Sequence, residues 1–321
     1  MLENAIKGFY KQLEFEPKIE NQSNLKESEK YIVAGMGGSH LGADLIACAN
    51  PSLSIEVHHD YNLPKRKTDS EKNRLIIASS YSGNTEEVIS SLNLVIQEKI
   101  PGAAISIGGK LLEIAKNNQI PYIKIPDTGI QPRSAVGFSV VGILALMKEI
   151  KEINDLKSLA SKDTEERRKE GESIAESLKN KIPIIYSSTQ NEAVAANWKI
   201  RINETGKIPS FWNTIPEANH NELIGFERHN ETAELSSMFG FIFLKDNEDH
   251  ERINRRMEIQ KSMYEGWGYK VQVVELQGKN RWEKILSSIV LADWTAYHMS
   301  ETYKLEPEEV ETVERFKKLL G

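Results

Sequence analysis

The chain has 321 residues, 27% of them charged and 39% hydrophobic, and carries a net charge of −6 at pH 7. That length allows one large or two medium domains with real cores, and the acidic balance excludes a general electrostatic hold on nucleic acid. Cys48 is the only cysteine, so neither an intramolecular disulfide nor a paired-cysteine metal knuckle can form, as suits a reducing compartment.

The first twenty residues mix acids with apolar positions and hold no signal core, so a cytoplasmic location is expected rather than export. The most apolar stretch, residues 135–147, is shorter than the roughly 20 residues a membrane span needs. Residues 9–30 are polar after a short amphipathic start and read as a lead-in helix and loop. YIVAGMGGSHLGADLIACA then gives a strand, a glycine turn and a helix. SIEVHHDY is the next strand, with a charged loop over 64–74 behind it. RLIIASSYSGNTEEVISSL repeats strand, polar loop and helix. GAAISIGG and PYIKIP are two more strands, with a helix over 111–118 between them, and a buried helix over 134–150 ends this half.

Residues 148–181 are highly charged, but Leu156, Leu159, Ile174 and Leu178 keep helical spacing and predict connecting helices. IPIIYSSTQ restarts the pattern as a strand leading into a helix over 191–205. FGFIFLKD and KVQVVEL are further strands, each ahead of a helix, over 248–267 and 281–303, and a last helix covers 308–320. Strands alternating with helices predict an α/β fold, two subdomains over 1–152 and 153–321, each a parallel sheet flanked by helices. Only the first has Gly/Ser-rich loops after its strands, so the second reads as a copy without them.

Those loops raise the chemical question. Four serine and threonine hydroxyls, a glycine and an amide stand between a buried strand and a helix at residues 79–85. Asn84 with Glu87, or Thr85 alone, could cap the helix. Alternatively, exposed N–H groups, hydroxyls and a helix N-terminus cradle an anion. AGMGGSHLG has the Gly35-x-Gly37 spacing of a dinucleotide loop, with Asp60 placed for a ribose, but His40 stands where that motif needs its third glycine. Two readings remain for this turn: Gly37 and Gly38 serve only a tight turn, or Gly38 and Ser39 offer N–H and hydroxyl groups to a sugar phosphate facing the SYSGNT loop. Arg133 follows a proline and opens an apolar helix, where a charge is costly unless it is used on an oxyanion or phosphate.

Glu204 ends a helix, where a negative charge is disfavoured and a base can be made, although a surface glutamate is the plainer reading. His220 lies between two amides in the polar run PEANHNE. No metal is expected: His58 and His59 are adjacent and diverge on a strand, and no HxxxH or HExxH spacing occurs.

Taken together, GMGGS, SYSGNTEE, QPRSA, INE, PEANHNE and a lysine in the last helix resemble the bifunctional phosphoglucose/phosphomannose isomerases, which are built from two sugar-isomerase (SIS) domains. The motifs run in the family's order from Gly35 to Lys317, with HLGAD departing from the family's usual small, glycine-rich run. The resemblance implies that Gly38, Ser39, Ser80, Ser82 and Thr85 hold the substrate, the last three on its phosphate. It implies that Arg133 steadies an enediolate, Glu204 is the base between C1 and C2, His220 assists ring opening, and Lys317, or its neighbour Lys318, helps at the ring oxygen. It further implies a small sugar-phosphate substrate, no cofactor, no metal, and a homodimer with the site at its interface. Phe211, Trp212, Ile215, Leu223 and Phe226 have the composition of such a contact. An amino-sugar-phosphate isomerase and a non-catalytic sugar-phosphate sensor are the alternatives; the sensor would need the SYSGNT cradle but neither Glu204 nor His220.

Overall fold

A computed structural model describes residues 1–65 and 74–320; residues 66–73 of the charged loop predicted over 64–74 lie outside the described residues. The chain divides into two compact units, one of residues 7–162 and one of residues 1–6 with 163–321. A first helix, α1 (Leu2–Lys7), opens the chain with Leu2 and Ile6 buried.

The unit of residues 7–162 has six strands: β1 (Ile19–Glu20), β2 (Lys30–Ala34), β3 (Ser54–His58), β4 (Leu75–Ser79), β5 (Gly102–Ser106) and β6 (Tyr122–Lys124). They lie in the order β1-β6-β5-β4-β2-β3. All pair in parallel except β1, which runs antiparallel along the edge of β6. β4 and β5 are buried along their whole length, as unbroken apolar strands covered on both faces should be. The helices are α2 (Leu41–Ala49), α3 (Glu86–Glu98), α4 (Gly109–Asn117), α5 (Val136–Met147) and α6 (Ile150–Lys157).

Val88, Leu92 and Val95 recur at helical spacing on α3 and pack with Leu111 and Ala115 of α4 onto Ile76 and Ala104 of the sheet. The opposite face takes α5, whose Gly142 comes so close that a methyl there would lie 2.3 Å from Ile105 Cδ1. Ala104 and Ile105 therefore face different helical layers, following the two-residue period of a strand.

The lead-in over 9–30 departs from the sequence reading. Phe9, Tyr10, Gln12 and Leu13 are buried in a 3-10 turn, Phe9–Glu14, and Gln12 Nε2 donates to the Ser134 carbonyl at 2.7 Å. A single short turn holds too few residues to give a periodic signal. β1 is likewise a strand only because β6 offers it an edge.

The second unit has β7 (Ile182–Ser188), β8 (Phe211–Ile215), β9 (Phe239–Lys245) and β10 (Lys270–Glu275) in the order β10-β9-β7-β8, all parallel. Its helices are α7 (Glu165–Ser177), α8 (Glu192–Glu204), α9 (Glu222–Gly225), α10 (Ala233–Ser236), α11 (Glu251–Gly266), α12 (Arg281–Thr302) and α13 (Glu311–Leu320). α12 is buried over most of its length and packs on α7 and α8. There Trp198 Nε1 donates to Ser288 Oγ at 2.9 Å, and Arg201 pairs with Asp293 at 2.8 Å.

β8 was missed in the sequence reading because it is an edge strand whose Trp212, Asn213 and Thr214 are all half-buried, leaving no alternation to see. Among the described residues, no helix is long and apolar enough to cross a membrane.

Candidate active site

From β2 the chain moves to β3 on one side, then to β4 on the other. The gap between β2 and β4 is thus a topological switch point, and open α/β sheets bind ligands just beyond the strand ends at such a point. Two loops leave the sheet there, residues 35–40 after β2 and 80–85 after β4. Ser79 Oγ donates to the Ser39 carbonyl at 2.7 Å, and the Tyr81 N–H donates to Ser39 Oγ at 2.9 Å, so the loops are stitched together.

A third segment, the Pro132–Ser134 turn that leads into α5, lies against Gly38. A methyl on Gly38 would sit 2.6 Å from the Arg133 nitrogen, so only glycine permits this approach. Gly38, Ser39, the SYSGNT loop and Arg133 are thereby brought together within one unit. Arg133 is 1% exposed, an unusual place for a guanidinium.

Within the loop, Ser80 Oγ and Thr85 Oγ1 are 2.7 Å apart, the Gly83 N–H donates to Ser80 Oγ at 3.1 Å, and the Asn84 N–H donates to Ser82 Oγ at 3.3 Å. The capping half of the sequence expectation is corrected here. Thr85 occupies the N-cap of α3 but its side chain makes no cap bond, and Asn84 Oδ1 accepts from the Lys110 N–H instead. The hydroxyls turn toward one another because the loop is pulled onto the turn after β5. Tyr81 is buried beneath it, and burial pushes its hydroxyl above the ordinary tyrosine value.

Gly83 sets that position. Its φ is +72°, and an added methyl would fall 1.9 Å from the Gly108 carbonyl oxygen. The left-handed backbone alone costs a non-glycine residue about 1–2 kcal/mol, roughly tenfold in an equilibrium, and the backbone clash adds to it. Gly83→Ala is therefore expected to weaken the binding of an anionic ligand at this loop by about tenfold or more, read as a rise in its dissociation constant. Unchanged affinity in a folded variant would remove the loop from the binding site.

In the second unit, Glu204 is the last residue of α8 and is half-buried, with Trp198, Arg201 and Ile202 buried on the same helix. Its backbone carbonyl accepts from Lys207 Nζ at 2.8 Å. His220 is exposed and follows the Glu217–Asn219 turn beyond β8. Lys317 and Lys318 are exposed on α13, where Lys317 pairs with Glu314 at 2.8 Å. These residues sit on three separate elements.

Glu222, a member of the PEANHNE motif to which the sequence reading gave no role, anchors the His220 loop. Tyr186 donates to Glu222 Oε1 at 2.7 Å, and Asn213 Nδ2 donates to the other oxygen. On the near side of His220, Asn219 Nδ2 donates to Gln260 Oε1 at 2.8 Å, and Gln260 in turn reaches the Tyr264 hydroxyl at 2.9 Å. Burial, reinforced by Tyr264 and Glu222, pushes the Tyr186 hydroxyl far above its ordinary value, and burial pushes Tyr264 up to about 12. Both hydroxyls stay neutral, Tyr186 donating to Glu222 and Tyr264 accepting from Gln260. No sequence spacing marks this network, because its members come from β7, β8, α9 and α11.

The expected contact residues are partly corrected as well. Ile215 and Phe226 belong to the core of their own unit, with Leu223 packed on it, while Phe211 is 54% exposed.

The second sheet has its own switch point, where β7 lies between β8 and β9. Buried Asp246 follows β9 there, paired with Lys284 at 2.7 Å and Arg281 at 2.8 Å, and β7 ends beside it in Ser187 and Ser188.

Residues 167–320 match the bacterial phospho-glucose isomerase C-terminal SIS domain. The chain is 31% identical over 321 residues to the bifunctional phosphoglucose/phosphomannose isomerase of Aquifex aeolicus, covering 98% of this chain and 97% of that one. It belongs to that family. The corresponding protein of Caldicellulosiruptor bescii is 32% identical, with 99% and 97% covered. Glucosamine-6-phosphate deaminase from Thermotoga maritima superposes with a TM-score of 0.69 over 96% of this chain and 95% of its own, at 14% identity, a likeness of fold alone. GMGGS, SYSGNTEE and QPRSA lie at the switch point of the first sheet, and PEANHNE forms the His220 loop of the second unit.

Proposed function

We propose that the chain is a metal-independent aldose–ketose isomerase that interconverts glucose 6-phosphate, and mannose 6-phosphate, with fructose 6-phosphate. The observation that carries this reading is 31–32% identity to the bifunctional isomerases along nearly the whole chain, joined to a hydroxyl-lined loop at a sheet's switch point.

Ser80, Ser82 and Thr85 hold the phosphate, and Gly38 and Ser39 hold the sugar. His220, with Lys317 at the ring oxygen, moves the proton that opens the ring. Glu204 takes the C2 proton of the open aldose while the electron pair passes into the C1 carbonyl. Arg133 balances the negative charge of the resulting enediolate. A proton passes from O2 to O1 of the enediolate, and return of the carbon-bound proton to C1 as the carbonyl forms at C2 gives the ketose.

The protein acts in the cytoplasm as a homodimer that shares its site between subunits. Support for a partner comes from α13, none of whose residues is buried and whose Val313, Phe316, Leu319 and Leu320 are 47–78% exposed. A substrate contact by Lys317 requires that face to be covered.

A coupled assay on the three hexose phosphates should show turnover of both aldoses that survives EDTA. A kcat at saturating substrate that chelator abolishes and zinc restores would overturn the metal-independent mechanism, and binding without turnover of either aldose would favour the sensor reading.

A further inference from the structure

Three metal-binding side chains, used in none of the steps above, converge beside the phosphate loop. His40 stands at the N-cap of α2 and Asp44 one turn along it, with His40 Nδ1 and Asp44 Oδ2 2.5 Å apart. His59 arrives from the far side of the sheet edge. β3 pairs with β2 so that Ala34 faces His58, and the Gly35 N–H donates to the His58 carbonyl at 3.1 Å. That register lays His59 beside the turn, its Nδ1 3.4 Å from the Gly35 carbonyl oxygen, and its ring centroid 4.3 Å from that of His40. One ligand atom from each of His40, Asp44 and His59 lies within 4.8 Å of the other two.

We propose that His40, Asp44 and His59 bind a divalent cation of the zinc class, with water in the fourth position. Two imidazoles and one carboxylate are a zinc-type donor set. A tetrahedral ion at about 2.0–2.2 Å from each donor needs them about 3.3 Å apart, so Asp44 and His40 must separate by roughly an ångström. Both are partly open, at 17% and 22% exposure, and His59 is exposed, so the rotation and a path for the ion are available.

Because His40 follows Ser39 directly and His59 reaches Gly35, a bound ion braces the turn that carries Gly38 and Ser39. It touches none of the residues assigned to proton transfer. The site therefore stands whether or not the isomerase reading holds.

The test uses full-length protein stripped with chelator, then given Zn²⁺ or Co²⁺ and freed of excess by gel filtration. One ion per chain should remain, Co²⁺ should show the intense visible absorption of tetrahedral coordination, and Zn²⁺ should raise the unfolding temperature. His59→Ala and Asp44→Asn should each weaken binding by more than the roughly 10–100-fold that loss of an outer-sphere partner costs. His229→Ala, which removes an exposed histidine of the other unit, should leave binding as in the wild type. His59 is exposed, so His59→Ala decides the matter even if Asp44→Asn folds poorly. Failure to retain an ion, or equal retention in wild type and His59→Ala, overturns the proposal.

Discussion

Glu204→Gln should bind fructose 6-phosphate nearly as well as the wild type and lose about 10²–10⁴-fold in kcat, the usual cost of removing a general base. The substitution keeps the shape of the side chain and deletes only the proton acceptor, at a half-buried position where α8 ends. Equal losses in kcat and kcat/KM would mark an interaction made only in the transition state. Hydrogen exchange at C2 of an open-chain sugar phosphate isolates the step, because it needs no ring opening. Glu204→Gln should abolish that exchange, whereas His220→Ala should spare it and fail on cyclic hexose phosphates. Exchange at the wild-type rate in Glu204→Gln would show that Glu204 is not the base.

Lys284→Met should cost about 3–5 kcal/mol of stability, the range found when one partner of a buried ion pair is removed. Lys284 is 4% exposed and Asp246 is 0% exposed, at 2.7 Å from each other. Burial by itself would push the Asp246 carboxyl up, but the hydrogen bond and charge of Lys284, the Glu248 N–H and the charge of Arg281 together hold it below its ordinary value. A carboxylate depressed in the folded state contributes stability above its unfolded pKa, and that stability is lost as pH falls through the folded value. The substitution should therefore also move the onset of acid unfolding to higher pH. Pairing it with Asp246→Asn should recover part of the loss, because the buried carboxylate that then has only Arg281 as counter-ion is made neutral. Denaturant titrations of the single and double variants make the comparison, and strictly additive losses would show that the ion pair does not act as a unit.

Much of the architecture follows from local sequence. The buried runs at β4 and β5, the 3.6-residue spacing on α3 and the small polar residues after β2 and β4 are properties of short segments, set by strand pairing, helix amphipathicity and turn chemistry. Elements whose existence depends on a distant partner were not legible. β1 needs the edge of β6, and β8 lies half-buried along β7 with no alternation. Thr85 and Asn84 look like caps in the sequence, yet the Gly83–Gly108 approach redirects both.

The candidate site divides along the same line. Residue types alone offered Ser80, Ser82, Thr85 and Arg133 to an anion and Glu204 as a base at a helix end, beside plainer readings as caps and surface charges, whereas the role of His220 came from the family resemblance. Only the tertiary structure decided that β2 and β4 are neighbours with β3 on the far side, which makes a switch point and sets Arg133 against Gly38. Only the β2–β3 register set His59 beside His40, and only strand order placed Glu222 among Tyr186, Asn213 and Tyr264. Strand order and register are fixed by packing between segments far apart in the chain, and no local propensity carries that information.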